Sequence, residues 1–323
     1  MSLELLRADN LVKQFDRVNA VDGVSFSVQR GEVFGLLGPN GAGKTTTINL
    51  LTGLARISSG SVFLEGQEYS SRPKVAQAVM GVVPDESNLY EDLDGFDNLS
   101  FCAALYGMER CRREQRAKEL LELFGLTQAG RRPFKSFSKG MKRKLTIAAG
   151  IIHTPKILFL DEPTTGIDVM SARQIRTLIQ ELNRSGTTIF LTTHYIEEAE
   201  RLCHRIAFIV SGKIIRIGSL EKLMQEQQQD TVLQMTVAET RPELLLFLRQ
   251  RFPLYSIQHT DERSLRVSSN SAIALLPLLS LLADAGVSVT EARLIKPSLE
   301  EVFVRVTGIE SELMRQEREG KKK

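Results

Sequence analysis

Apolar positions fall into two rhythms along this chain. Unbroken apolar runs recur through the first 220 or so residues, near Val33–Leu37, Ile157–Leu160, Thr188–Thr192 and Ile206–Val210. Short runs of this kind, bounded by turn residues, predict strands buried on both faces. Helix-like segments lie between them, and the alternation predicts an α/β fold on a largely parallel sheet. A short antiparallel part is expected near Leu3–Leu11 and Val24–Val28. From about Glu86 to Lys135 there is no strand-like run. Arg113–Phe124 places Leu120, Leu121 and Phe124 on one helical face, so a helical insert is predicted over about 86–155.

The rhythm changes after the polar stretch Gln225–Asp230. Leu233, Met235 and Val237 alternate as in a half-buried strand. Thr240-Arg241-Pro242-Glu243 has the form of a capping box, opening a helix with Leu244, Phe247 and Leu248 as its apolar stripe. Alternation through Tyr255, Ile257 and His259, and again at Leu265 and Val267, predicts a hairpin turning near Asp261–Arg263. A Leu-rich helix and a strand near Val287–Leu294 complete a βαββαβ order, that of a smaller α+β ferredoxin-like domain. Ser298-Leu299-Glu300-Glu301 caps a last helix carrying Val302, Phe303 and Val306, with Gly308 as its stop. Residues 310–323 form a polar tail.

Composition narrows the possibilities. The chain has 323 residues, enough for about two domains. Its net charge is only +3, which Lys321-Lys322-Lys323 alone would account for, so no nucleic-acid partner is expected. Cys102, Cys111 and Cys203 are odd in number and lack metal-ligand spacing, which points to a reducing compartment. Met1–Asn10 carries Glu4 and Asp9 and no long apolar core, so no secretion signal is expected. The richest apolar stretch, Ala272–Ala285, contains Pro277 and is too short to span a bilayer.

Chemistry enters at Gly38-Pro39-Asn40-Gly41-Ala42-Gly43-Lys44-Thr45, which fits the phosphate-loop pattern G-x-x-x-x-G-K-[ST] in full. A buried strand precedes it and a helix beginning with Thr46 follows, as that motif requires. Glycines let backbone N–H groups turn inward as an anion cradle at a helix N-terminus. Lys44 can reach the β- and γ-phosphates of a nucleoside triphosphate, and the Thr45 hydroxyl can ligate Mg²⁺. The strand Ile157–Leu160 ends in Asp161 and Glu162. Asp161 suits support of Mg²⁺, and Glu162 suits a general base for the attacking water.

Phe137-Ser138-Lys139-Gly140-Met141 lies before a predicted helix, with Ser138 23 residues upstream of Asp161. With these motifs in this order, the sequence resembles the ATP-binding-cassette (ABC) ATPases over residues 2 to about 222. The resemblance implies ATP and Mg²⁺ as cofactors, and a domain over 1–224 with a P-loop NTPase fold. Ser138 and Gly140 match the family's signature, which faces the γ-phosphate held by a second copy. Asp168, in Thr164-Thr165-Gly166-Ile167-Asp168, resembles the dimer-facing position of the next loop. His194 resembles the switch histidine, and Phe15 the aromatic residue that stacks on adenine. Asp85 departs from the family's usual Gln; as a metal-sensing oxygen donor it would alter coupling without abolishing it. Residues 231–309 resemble the accessory domain of exporter ATPases of the antibiotic- and drug-resistance type. The implied partners are a membrane permease and a second copy of the chain. The accessory domain is read as regulatory, a dimer brace or both, with dimerisation through its apolar helices favoured. The implied location is cytoplasmic, peripheral on the membrane's inner face. A soluble ABC-type regulator, or a module that binds nucleotide without hydrolysis, remains an alternative reading.

Overall fold

The computed structural model describes residues 4–225, 231–238, 242–261, 263–295 and 298–308. Contacts divide it into two units: one runs to Leu220 and takes in Phe303, and the other is Glu221–Val302.

The first unit opens with β1 (Glu4–Phe15) and β2 (Val18–Gln29), an antiparallel pair longer than its apolar pattern predicts. β3 (Val33–Leu37) leads into α1 (Lys44–Leu51). β4 (Ser59–Leu64) and β5 (Gln67–Glu68) extend the antiparallel sheet in the order β2-β1-β4-β5. Next come α2 (Pro73–Gln77), β6 (Met80–Val83), and the helices α3 (Gly95–Leu105), α4 (Arg110–Leu123) and α5 (Lys139–Gly150). The chain returns through β7 (Ile157–Asp161), α6 (Val169–Arg184), β8 (Thr188–Thr193) and α7 (Ile196–Leu202). β9 (Arg205–Val210) and β10 (Lys213–Ser219) follow, and α8 (Leu220–Gln225) begins at the last residue before the boundary.

The main sheet runs β10-β9-β3-β8-β7-β6, all parallel except β10. Every residue of β3, β7 and β8 is buried, the physical reason their sequences read as continuous runs. Phe26 of β2 stacks on Phe34 (5.2 Å) and Phe190 (5.7 Å), so the two sheets share one aromatic core. In open sheets of this kind ligands sit beyond the strands' C-terminal ends. Here those ends deliver the residues after Leu37, Val83, Asp161 and Thr193 to one region.

The second unit contains β11 (Thr231–Val237), α9 (Pro242–Arg251), β12 (Ser256–Asp261), β13 (Ser264–Ser269), α10 (Leu275–Asp284) and β14 (Val289–Ile295). The sheet order β12-β13-β11-β14, wholly antiparallel, is the ferredoxin-like arrangement. Leu233, Met235 and Val237 point into its core with Leu248, Leu278 and Leu282. The Thr240 cap and most of the Gln225–Asp230 stretch lie outside the described residues, as does the tail.

α11 (Leu299–Thr307) starts at Ser298, whose Oγ accepts from Glu301 N at 3.2 Å. Phe303 was expected in the accessory domain but groups with the first unit, where its ring meets Phe208 edge-on at 5.3 Å. The contact boundary falls at Leu220 rather than residue 224.

Candidate functional site: a phosphate cleft at the strand ends

Residues 38–43 wrap the N-terminus of α1, and two glycines there are sterically required. A Cβ on Gly38 would strike the Ile209 carbonyl. Gly43 has φ +101°, and a Cβ on it would strike the Ala20 carbonyl. Only glycine fits such close backbone approaches. The first turn of α1 carries no acidic residue of its own to offset its positive dipole end. Pro39 and Ala42 serve the loop itself: Ala42 N donates to Pro39 O (3.2 Å), and Ala42 O accepts from Gly212 N (2.9 Å).

A cleft of about 210 Å³ opens above this turn. Asn40, Gly41, Gly43, Lys44, Thr45 and Thr46 line one side, and Asp85, Glu162, Thr165 and His194 the other. The volume is below the roughly 300–1,000 Å³ of pockets that enclose whole ligands. It suits the phosphates of a nucleotide whose base lies outside.

Lys44 is buried, and its Nζ donates to Gly38 O (2.8 Å) and Pro39 O (3.0 Å). The same ammonium stands 3.1 Å from Glu162 Oε1. Glu162 Oε2 accepts from the Thr165 hydroxyl (2.9 Å) and is 2.7 Å from His194 Nδ1. Burial alone would push the Glu162 carboxyl up, but the His194 bond and the Lys44 charge outweigh it and hold the pKa at about 2. An ionised Glu162 requires the hydrogen on Nδ1 of His194, which leaves Nε2 for another partner.

The adjacent carboxylates are thus compensated by side chains of the chain itself. Thr192 organises both: its hydroxyl donates to Asp161 Oδ1 (2.5 Å) and accepts from Glu162 N (3.1 Å). Glu162 has φ +47°, a left-handed conformation unfavourable for a side chain with a Cβ. Such strain typically costs about 1–3 kcal/mol and persists only where surrounding bonds over-determine it.

The donors in and beside the cleft fit Mg²⁺. The Thr45 hydroxyl and the Asp85 and Asp161 carboxylates are hard oxygen ligands. Asp161 is buried with Oδ1 accepting from Thr192, which leaves its second oxygen uncommitted to that bond. Among the described residues no group of three or more His, Cys, Asp or Glu could cage a metal alone, so phosphate oxygens would have to complete the shell.

Of the predicted residues outside the cleft lining, Gly38, Pro39, Ala42 and Asp161 belong to the loop and strand end that form it, and four others stand elsewhere. Ser138 is the exposed N-cap of α5, with Oγ accepting from Met141 N (3.2 Å). Asp168 caps α6 by accepting from Ser171 N (2.9 Å). Gly140 packs directly on that Ser171, where a Cβ would strike its Oγ. Phe15 is 52% exposed and lies 4.8 Å from the Lys13 ammonium, so it is not a core residue. His153, His204 and His259 line no part of the cleft; His204 Nδ1 accepts from Val33 N at 2.9 Å, a structural role.

Sequence reading missed Thr192, Thr165, Arg143 and Glu198. Glu198 is 2% exposed and accepts from the Thr164 hydroxyl (2.7 Å), and its Oε2 has no hydrogen-bond partner among the described residues. Thr192, Arg143 and Glu198 act through partners 18 or more residues away, which no local pattern signals, whereas Thr165 reaches Glu162 from only three residues along the chain.

The sequence model of the family described as ABC transporter matches residues 21–165. The linearmycin resistance ATP-binding protein LnrL of Bacillus subtilis (strain 168) is 36% identical over 307 residues, 94% of this chain and 98% of that protein. The daunorubicin/doxorubicin resistance ATP-binding protein DrrA of Streptomyces peucetius is 36% identical over 304 residues, covering 94% and 92%. Among solved structures, an ATP-binding subunit of an ABC transporter superposes with TM-score 0.63 at 30% identity, over 69% of this chain and 92% of that one. CbiO1 of Clostridium perfringens, part of the cbiONQ ABC transporter complex, does so with TM-score 0.64 at 25% identity, over 78% and 97%. A phosphate cleft of this geometry and relatives matching along nearly the whole chain place it in one family: this chain is an ATP-binding ATPase subunit of the ABC transporter family.

Proposed function

We propose that two copies of this chain close head to tail around two MgATP and drive export through a separate membrane permease. The observation carrying this reading is the separation of the predicted residues. Lys44, Thr45, Glu162 and His194 share the cleft, whereas Ser138, Gly140 and Asp168 stand outside it at two exposed or closely packed helix starts. One copy's cleft is then completed by the partner's Ser138-capped helix, whose N-terminus offers a positive dipole end to the γ-phosphate.

In this reading backbone N–H groups of the loop and Lys44 hold the β- and γ-phosphates. Mg²⁺, held by Thr45 and supported by Asp161 and Asp85, would neutralise phosphate charge. Phosphate binding draws Lys44 away from Glu162 and frees that carboxylate to accept a proton from water. His194 keeps Glu162 oriented through Nδ1 and presents Nε2 toward the γ-phosphate. Phe15, exposed at the end of β1, offers its face to adenine outside the small cleft.

Export is supported by the names of the relatives, which include resistance proteins and a Nod factor export ATP-binding protein of Ralstonia nicotianae. No helix among the described residues is long and apolar enough to cross a membrane, so membrane attachment would come through the permease. A groove of about 1070 Å³, lined by Pro84, Asn88, Leu105 and Tyr106 among others, is the proposed seat for it. Exposed Leu246 and Phe247 on α9 suit the dimer-bracing role of the second unit.

The test is Glu162→Gln. Losing a general base typically costs about 10²–10⁴-fold in rate. The variant should bind ATP, accumulate as a dimer with MgATP in size-exclusion chromatography, and barely hydrolyse it. Parental turnover would refute Glu162 as the base.

A further inference from the structure

Arg143 sits on α5, one turn beyond the Ser138 cap, and is 4% exposed. Its guanidinium donates to main-chain oxygens. Nε donates to Pro163 O (3.0 Å) and Nη2 to Asp161 O (2.5 Å). Nη1 donates to Asp85 O (3.0 Å) and to Pro84 O. Four carbonyls on two segments therefore converge on one fork. Asp161 and Pro163 are the residues on either side of Glu162, which has φ +47°. Pro84 and Asp85 follow β6, the strand beside β7, and Asp85 lines the cleft.

Resting on the reading of Glu162 as base, we propose that Arg143 is a positioning residue for hydrolysis. It clamps the backbone on both sides of Glu162 and ties the Asp85 segment to it. The strained Glu162 peptide is then held from two directions, by Thr192 at its N–H and by Arg143 at the flanking carbonyls. A planar guanidinium with five N–H donors can serve four acceptors at fixed angles. A lysine ammonium has three donors on a flexible stem and cannot span the same set. Burial disfavours the arginine's charge, while the nearby Asp85 and Asp161 carboxylates support it.

A buried arginine bonded to carbonyls could also be a purely structural staple. The two roles separate in kinetics. A staple contributes stability, so a folded variant keeps its turnover. A positioning residue sets kcat with little effect on nucleotide binding.

The experiment uses the full chain with Arg143→Lys, which keeps charge and size and is expected to fold, and Arg143→Met. Steady-state ATP hydrolysis over a range of ATP, binding of a fluorescent ATP analogue and thermal melting are measured for each. We expect R143K to melt cooperatively and bind the analogue within about threefold of the parental chain, with kcat about tenfold lower or less still. In the E162Q background R143K should cause no further loss, since both act on one base. R143K with kcat within about threefold of the parental chain, a change in KM alone, or a loss that multiplies with that of E162Q would overturn the proposal. A parental chain that binds but does not hydrolyse ATP would overturn the reading of Glu162, and this inference with it. An active parental chain and an equally active R143K overturn the inference alone.

Discussion

Lys44 Nζ lies 3.1 Å from Glu162 Oε1, joining the phosphate-loop lysine to the carboxylate beyond β7, both side chains less than a tenth exposed. In the proposed reading of Glu162 as base, the pair links nucleotide binding to the state of that carboxylate, because phosphate and carboxylate would compete for one ammonium.

Lys44→Met should therefore do two things. It should abolish tight nucleotide binding, and it should destabilise the nucleotide-free protein by about 3 kcal/mol, since removing one partner strands a buried charge. His194 and Thr165 still hold Glu162 Oε2, which keeps the loss near the lower end. In urea unfolding, K44M/E162Q should recover part of it, because the stranded charge is then gone. An unchanged midpoint for K44M would show that the pair contributes nothing.

The depressed Glu162 pKa gives a pH signature of defined sign. The folded value is about 2 against an ordinary 4.5. Stabilisation from its ionised form is fully present above 4.5 and is lost as pH falls toward 2. The stability difference between the parental chain and E162Q should be flat from about pH 7 to about pH 5 and should shrink below that. A difference that holds or grows on acidification would contradict the assignment.

Glu198 should show the opposite sign. Burial pushes its carboxyl up, against opposing bonds from Thr193 and Thr164. The unfolded chain releases this proton near 4.5 while the folded one retains it, so folding is increasingly penalised as pH rises. Glu198→Gln removes the penalty and keeps an acceptor for Thr164. Its stability relative to the parental chain should rise as the pH climbs above 4.5 in melting experiments. A pH-independent difference would refute a raised pKa.

Gly140 and Ser171 should couple. Gly140→Ala drives a Cβ into Ser171 Oγ at the first turn of α6, an overpacking that costs about 1–3 kcal/mol. Ser171→Gly opens that space, so the G140A/S171G pair should lose less than the sum of the single changes in urea unfolding. Additive losses would place the strain elsewhere.

Much of the fold was legible locally. β3, β7 and β8 read as strands because both faces are buried, which makes apolar character continuous. Alternation at Leu233, Met235 and Val237 worked for the converse reason, one face being buried against α9 and α10. β4 and β10 carried a weaker signal: only Val62 and Leu64 of β4 are buried, and β10 mixes exposed and half-buried positions throughout. Phe303 looked like part of the accessory domain because helical spacing states which face is apolar and not what covers it. Phe208, almost a hundred residues earlier, decided that.

By itself, the sequence determined the phosphate loop, the acidic strand end and the capped helix starts, because each depends on neighbours within about four residues: a glycine's φ, a cap's N–H, an apolar run. Only the tertiary structure decided what holds Glu162 in a strained conformation and what neutralises it. Thr192, His194, Arg143 and Lys44 come from four different elements or loops, and their bonds to this segment cross 18 or more residues of chain. Hydrogen bonds and buried charge act over a few ångströms, so which side chains supply them is settled only when the sheet brings its strand ends together.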